Sequence, residues 1–167
     1  MSIPKKHNDE HRNNWRDNRE GNNFPSRHVD NTLEDEPKQI EDIINYIMGS
    51  EENPKKVYEL FKMGNGEIYW IATGMKDNLT TQNQIRKFYD YVIQIDAKNE
   101  NEAKIKLAMM MPKIYYVIQR GVINKGNFTL FLQRSIISLN NISGKPFEES
   151  FDKFINVFEA IVAYSKK

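Results

Sequence analysis

The chain has 167 residues, the size of one ordinary domain, with 28% charged against 39% hydrophobic, a balance that suits a globular protein carrying a disordered part. There are no cysteines, which excludes disulfides, thiolate zinc sites and cysteine nucleophiles and fits a reducing cytoplasm. The net charge of +1 argues for no partner by itself, and no apolar run approaches the ~20 residues of a membrane span.

Residues 1–36 read as a disordered polar tail. The stretch HNDEHRNNWRDNREGNNFPSRHVDNTLEDE is rich in Asn, Asp, Glu and Arg and has few aliphatic residues to bury. The opening MSIPKKHNDEHRNN has no apolar segment behind its lysines, so it does not read as a secretory signal. All three histidines (His7, His11 and His28) lie in the tail. His7 and His11 have i,i+4 spacing, but no third metal ligand accompanies them. The tail arginines, with Trp15 and Phe24, could touch RNA or a protein partner as the tail orders on binding.

From Pro37 onward the pattern is that of a helical domain over 37–167. Ile40, Ile43, Ile44 and Ile47 recur at helical spacing, and Gly49 stops the run. In NPKKVYELFKMG, Pro54 suits a first helical turn, Val57, Leu60 and Phe61 form an apolar face, and Gly64 ends it. GEIYWIATG is compatible with an extended strand, an irregular segment or a helix continuation. LTTQNQIRKFYDYVIQI opens on Thr81 and Gln84 as a capping box and then sets Ile85, Phe88, Tyr89 and Val92 on one face. In NENEAKIKLAMMM, Asn99 or Asn101 can cap, and Ala103, Leu107 and Met110 face inward. Pro112 then kinks this helix or begins another, because it lacks an N–H and clashes with the Ala108 carbonyl. Beyond it Ile114, Tyr115, Val117 and Ile118 are expected to bury. Phe128, Phe131, Leu132, Ser135, Ile136 and Leu139 mark the next helix. Phe147, Phe151, Phe154, Phe158, Ile161 and Val162 stripe the last, with acids in its first turns and lysines at its end. The expected fold is all-α: a compact antiparallel bundle of five to six helices behind a disordered N-terminal tail.

Catalytic chemistry is missing from this domain. It has no histidine and no cysteine, GNGEIYWIATG lacks the lysine of a phosphate-binding loop, and Glu148 and Glu149 read as dipole partners of a helix start. No metal, no cofactor and no enzymatic activity are expected. The positive signal is charge. Between Glu102 and Glu148 there is no acidic residue, while Lys104, Lys106, Lys113, Arg120, Lys125, Arg134 and Lys145 all fall there. Lys113, Tyr116 and Arg120 follow i, i+3, i+7 spacing and share one helix face. Cations supply phosphate contacts and an exposed ring can stack a base or a guanidinium, so the stripe points to an anionic partner such as a nucleic acid, with a core Tyr116 whose hydroxyl reaches the surface as the other reading of that ring. The alternative is a helical protein–protein adaptor whose charges serve solubility.

Three stretches together, LTTQNQIRKFYDYV (79–92), PKIYYVIQRG (112–121) and FDKFINVFEAIVAY (151–164), resemble the small helical subunit of type III-A CRISPR effector ribonucleoproteins, the Csm complex. The resemblance lies in a Leu-Thr-Thr start before an Ile-Arg helix, a Lys-x-x-Tyr segment leading to paired Arg and Gly, and a closing Glu-Ala-x-Val-Ala-Tyr, and it covers residues 76–167. It implies a non-catalytic bundle present in several copies, stacked beside the backbone subunits and near the large subunit, along the path of CRISPR RNA and target RNA. By the same resemblance Arg86, Lys113 and Arg120 are RNA-binding positions and Glu159 is structural. With the residues singled out by charge, the candidate RNA-binding set is Arg86, Lys87, Lys113, Tyr116, Arg120, Lys125 and Arg134.

Overall fold

Among the described residues, eight helices run in the order α1 (Lys38–Ile47), α2 (Pro54–Phe61), α3 (Glu67–Thr73), α4 (Leu79–Val92), α5 (Glu100–Ala108), α6 (Met110–Gln119), α7 (Asn127–Asn140) and α8 (Lys145–Tyr164). The computed structural model describes residues 38–75 and 79–166, all within one unit, Glu34–Lys167. The tail expected over 1–36, with its three histidines, Trp15 and Phe24, lies outside the described residues. Among the described residues there is no strand, so the all-α class holds. The count exceeds the expected five to six because the 66–74 segment is helical and because one long helix divides near Pro112.

Helix α8 organises the core. Gly144, at φ 68°, turns the chain into it, Pro146 lies in its first turn, and Phe147, Phe151, Phe154, Phe158 and Ile161 are all buried. The helix packs against α1, α3, α4 and α7. Phe158 meets Tyr89 of α4 at 5.6 Å between ring centroids and Phe128 and Phe131 of α7 at 5.8 and 6.3 Å. Each such ring removes apolar area worth about 1.5–3 kcal/mol from water. Glycine ends two helices, α1 and α6, in the same way. After α1, Gly49 at φ 75° donates to the Tyr46 carbonyl and Ser50 to that of Asn45. After α6, Gly121 at φ 64° donates to Ile118 and Val122 to Val117. Both are Schellman closures, which need the left-handed residue that glycine supplies without strain.

Three expectations are corrected. First, GEIYWIATG is neither strand nor irregular but the helix α3. Its Ile68, Ile71 and Ala72 are buried at i, i+3, i+4, and packing on α1 and α8 outweighs the strand preference of Ile, Tyr and Trp. Gly66 starts it where a Cβ would come within 2.6 Å of the Glu59 and Lys62 carbonyls, so only glycine fits there. Second, Thr81 is not a cap. Helix α4 begins two residues earlier, and the buried Thr81 hydroxyl donates instead to the Val122 carbonyl at 2.8 Å. Third, Tyr115 is 64% exposed, because the inward face of α6 is Met110, Ile114 and Val117, and one step of about 100° past Ile114 turns it outward.

The break before Pro112 falls at Met109, where α5 ends and α6 begins. The proline ring leaves the Ala108 carbonyl without its i+4 donor. Asn99 caps α5, its side-chain oxygen accepting from the Glu102 N–H. Glu100 clamps the start of α5 to the turn before α8: it pairs with Lys104 at 2.8 Å and accepts the Gly144 N–H at 2.7 Å. The hydrogen bond from Lys104, then those from Gly144 and Ser143, pull its carboxyl down to about 2. At the far end of α8, Tyr164 donates to the Phe61 carbonyl at 2.6 Å and so satisfies an orphan acceptor at the end of α2.

Candidate nucleic-acid interface

Two helical stripes face each other across a groove. Gln84, Lys87, Phe88 and Tyr91 come from α4 at i, i+3, i+4, i+7, and Lys113, Tyr116, Val117 and Arg120 come from α6 at the same spacing. Pro112 and Val122 complete the lining of a cavity of about 500 Å³. The hydrogen bond from Thr81 to Val122 ties the first turn of α4 to the chain leaving α6, and so holds one end of the groove together. Phe88 and Val117 are buried and supply its apolar floor.

Two of the three cations of the groove, Lys113 and Arg120, are held by rings rather than by carboxylates. Lys113 Nζ lies 3.9 Å from the centroid of the Tyr91 ring, and the Tyr91 hydroxyl donates to the Lys106 carbonyl at 3.1 Å, anchoring that ring to α5. Arg120 Nη1 donates to the Tyr116 hydroxyl at 3.2 Å, with its guanidinium carbon 5.5 Å from the ring centroid. Such contacts orient a cation at a modest cost in desolvation and leave its charge uncancelled. Three other lysines of the acid-free segment behave differently. Lys104, Lys106 and Lys145 pair with Glu100, Glu102 and Glu149 at 2.8, 2.6 and 3.5 Å. Among the described residues, Lys87, Lys113 and Arg120 make no ion pair. Three cations without an ion pair therefore meet in the groove, while three lysines of the acid-free segment outside it are paired.

Four of the seven sequence-selected residues, Lys87, Lys113, Tyr116 and Arg120, thus meet in one site. Arg120 occupies the C-cap position of α6, where a cation also complements the helix dipole, and Gly121 makes the turn behind it. Arg120 keeps αR dihedrals (φ −79°, ψ 0°), so it stands at i+4 from Tyr116 on the same face of α6. The other three lie elsewhere. Arg86 is on the adjoining side of α4, beside Gln82, Asn83, Val162, Ser165 and Lys166. Lys125 is exposed in the turn between α6 and α7, and Arg134 is half-buried on α7. Tyr91 and Gln84 escaped the sequence reading. Tyr91 stands at i+4 from Lys87, a spacing that puts the two on one face and was available as a signal.

Among the described residues no cluster of His, Asp or Glu could hold a metal ion, and no helix is long and apolar enough to cross a membrane. The family model described as Csm2 Type III-A matches residues 69–167. That span takes in most of α3 and all of α4 to α8, and with them every residue of the groove. No curated protein and no solved structure matches the chain.

Proposed function

Because the chain belongs to the Csm2 type III-A family, we propose that it is the RNA-binding, non-catalytic structural subunit of a type III-A CRISPR interference complex. Membership makes it a subunit of the type III-A effector, with other Csm subunits as its partners. In the proposal, copies of the chain stack along the path of guide RNA and target RNA, in the cytoplasm. Lys87, Lys113 and Arg120 neutralise phosphates, and Arg86, Lys125 and Arg134 add contacts outside the groove. Base pairing between guide and target supplies the sequence specificity, so the subunit needs only sequence-independent affinity.

The observation that carries this reading is the gathering of three cations in one groove with no carboxylate partner, while neighbouring lysines of the same segment are paired. Backbone phosphates are the anions such a site fits. The adaptor reading has an observation of its own: Tyr58, Met63, Ile105, Met109 and Tyr115 are large, apolar and exposed. In an effector complex those residues serve contacts with copies of the chain and with the backbone and large subunits, so protein docking accompanies RNA binding. Purification of the tagged full chain from its native host decides between them. Short RNAs sharing one repeat-derived 5′ end, released by high salt, are the expected result. Recovery of protein partners with no RNA at low salt would leave the adaptor reading standing and overturn this one.

A further inference from the structure

We infer that the groove between α4 and α6 seats one unpaired nucleotide of an RNA strand, with its base on Tyr116 and the apolar floor and its phosphate on the rim cations. This rests on the RNA-binding reading and goes beyond phosphate contact, for which an open basic surface would suffice. A site meant only for a phosphate backbone needs no apolar floor and no cavity. Here the groove encloses about 500 Å³, within the ~300–1,000 Å³ range of small-ligand pockets. Phe88, Val117, Val122 and Pro112 line it with apolar surface, and Lys87, Lys113 and Arg120 ring it with positive charge. A flat ring joined to an anion satisfies both demands, and a nucleotide is that combination.

The aromatic groups are arranged for the task. The hydrogen bond from Arg120 fixes Tyr116 by its hydroxyl, yet the residue remains 58% exposed. A tyrosine held in place with its ring in solvent is a preorganised stacking platform. Tyr91 is anchored through its own hydroxyl and carries Lys113, and Tyr116 carries the Arg120 guanidinium at 5.5 Å from its centroid, so in the proposal the base stacks on the face of Tyr116 that Arg120 leaves open. The Gln84 amide on the α4 wall supplies both donor and acceptor capacity toward a base edge. In an A-form duplex the bases are stacked inside, and no ring is free to enter such a groove. The preference is therefore for an unpaired position.

Binding of the full chain to three probes tests this: an oligouridylate, the same sugar–phosphate chain without bases, and a duplex of equal length. The wild type is expected to hold oligouridylate at least about 5-fold tighter than the baseless chain, the lower end of a base–aromatic stack. Tyr116→Leu, a change at an exposed position, should erase that difference while leaving the baseless chain bound as before. Lys113→Ala should weaken both strands alike. If wild type and Tyr116→Leu bind the two strands equally, while Lys113→Ala still weakens them, phosphate binding survives and the base seat is overturned. If the duplex binds as tightly as oligouridylate, the preference for an unpaired nucleotide is overturned. If no probe binds, the RNA-binding reading falls and the inference falls with it.

Discussion

Helices α8 and α6 both carry aromatic residues, and the fold uses them in opposite ways. The phenylalanine stripe of α8 lies at 147, 151, 154 and 158, and none of these rings is more than 1% exposed. Those of α6 are Tyr115 and Tyr116, which remain 64% and 58% exposed. A phenylalanine stripe has no polar atom to satisfy and gains most by meeting four other helices. A tyrosine beside cations keeps its hydroxyl wet or bonded, as Tyr116 does with Arg120. Aromatic content alone therefore does not separate core from interface; the polar handle and the neighbouring charges do.

That contrast can be broken most forcefully at Phe154, which packs against Phe131, Phe151 and Phe158 at 5.8, 6.2 and 5.9 Å. Phe154→Ala should cost about 3–5 kcal/mol in chemical denaturation, a large share of the ~5–15 kcal/mol of a typical domain. Tyr116→Ala, on the exposed stripe, should stay within about 0.5 kcal/mol of wild type in the same experiment. Comparable losses at the two sites would erase the distinction drawn here. The outer end of α8 gives a smaller effect. Tyr164→Phe removes the donor to the Phe61 carbonyl and should cost about 1 kcal/mol, read as a lowered denaturation midpoint at an unchanged slope.

The smallest effect sits where α8 begins. Glu100 is pulled from 4.5 to about 2 by Lys104 first and by Gly144 and Ser143 after it. A depressed carboxyl stabilises the fold above its unfolded value and loses that contribution as pH falls through its folded value. Wild type should therefore exceed Glu100→Gln in stability above pH 4.5, and the gap should close as pH approaches about 2. A gap that persists unchanged at the acid end would show that the clamp is not what holds the α5 start to the α8 turn. Because Glu100 is at the surface, the gap should be small and should shrink in salt.

Much of the core was legible from spacing. The inward faces of α1, α4, α5, α7 and α8 follow from Ile40 and Ile43, Ile85 and Phe88, Ala103 and Leu107, Phe131 and Ile136, and the Phe147–Phe158 stripe. Helix α3 was only one of three readings of its segment, since seven residues rich in Ile, Tyr and Trp carry strand preference and packing on α1 and α8 is what selects the helix. Thr81 was misread for a related reason: its hydroxyl bonds a residue 41 positions away, and no local pattern encodes that partner. At the groove, Lys113, Tyr116 and Arg120 emerged from one helix's spacing, but their meeting with Lys87 and Tyr91 depends on how α4 lies beside α6. Charge along the chain also overstated the basic face, because it could not show that Lys104, Lys106 and Lys145 are spoken for by Glu100, Glu102 and Glu149.

The salt dependence of binding to single-stranded RNA tests the central claim most directly. Each phosphate neutralised on a single strand contributes about 0.7 to the slope of log affinity against log salt. The combined Lys87→Ala, Lys113→Ala and Arg120→Ala variant should therefore bind more weakly at low salt, with a slope shallower by about 2, while unfolding at the wild-type midpoint. An unchanged slope and affinity in that folded variant would contradict the assignment of the groove to RNA.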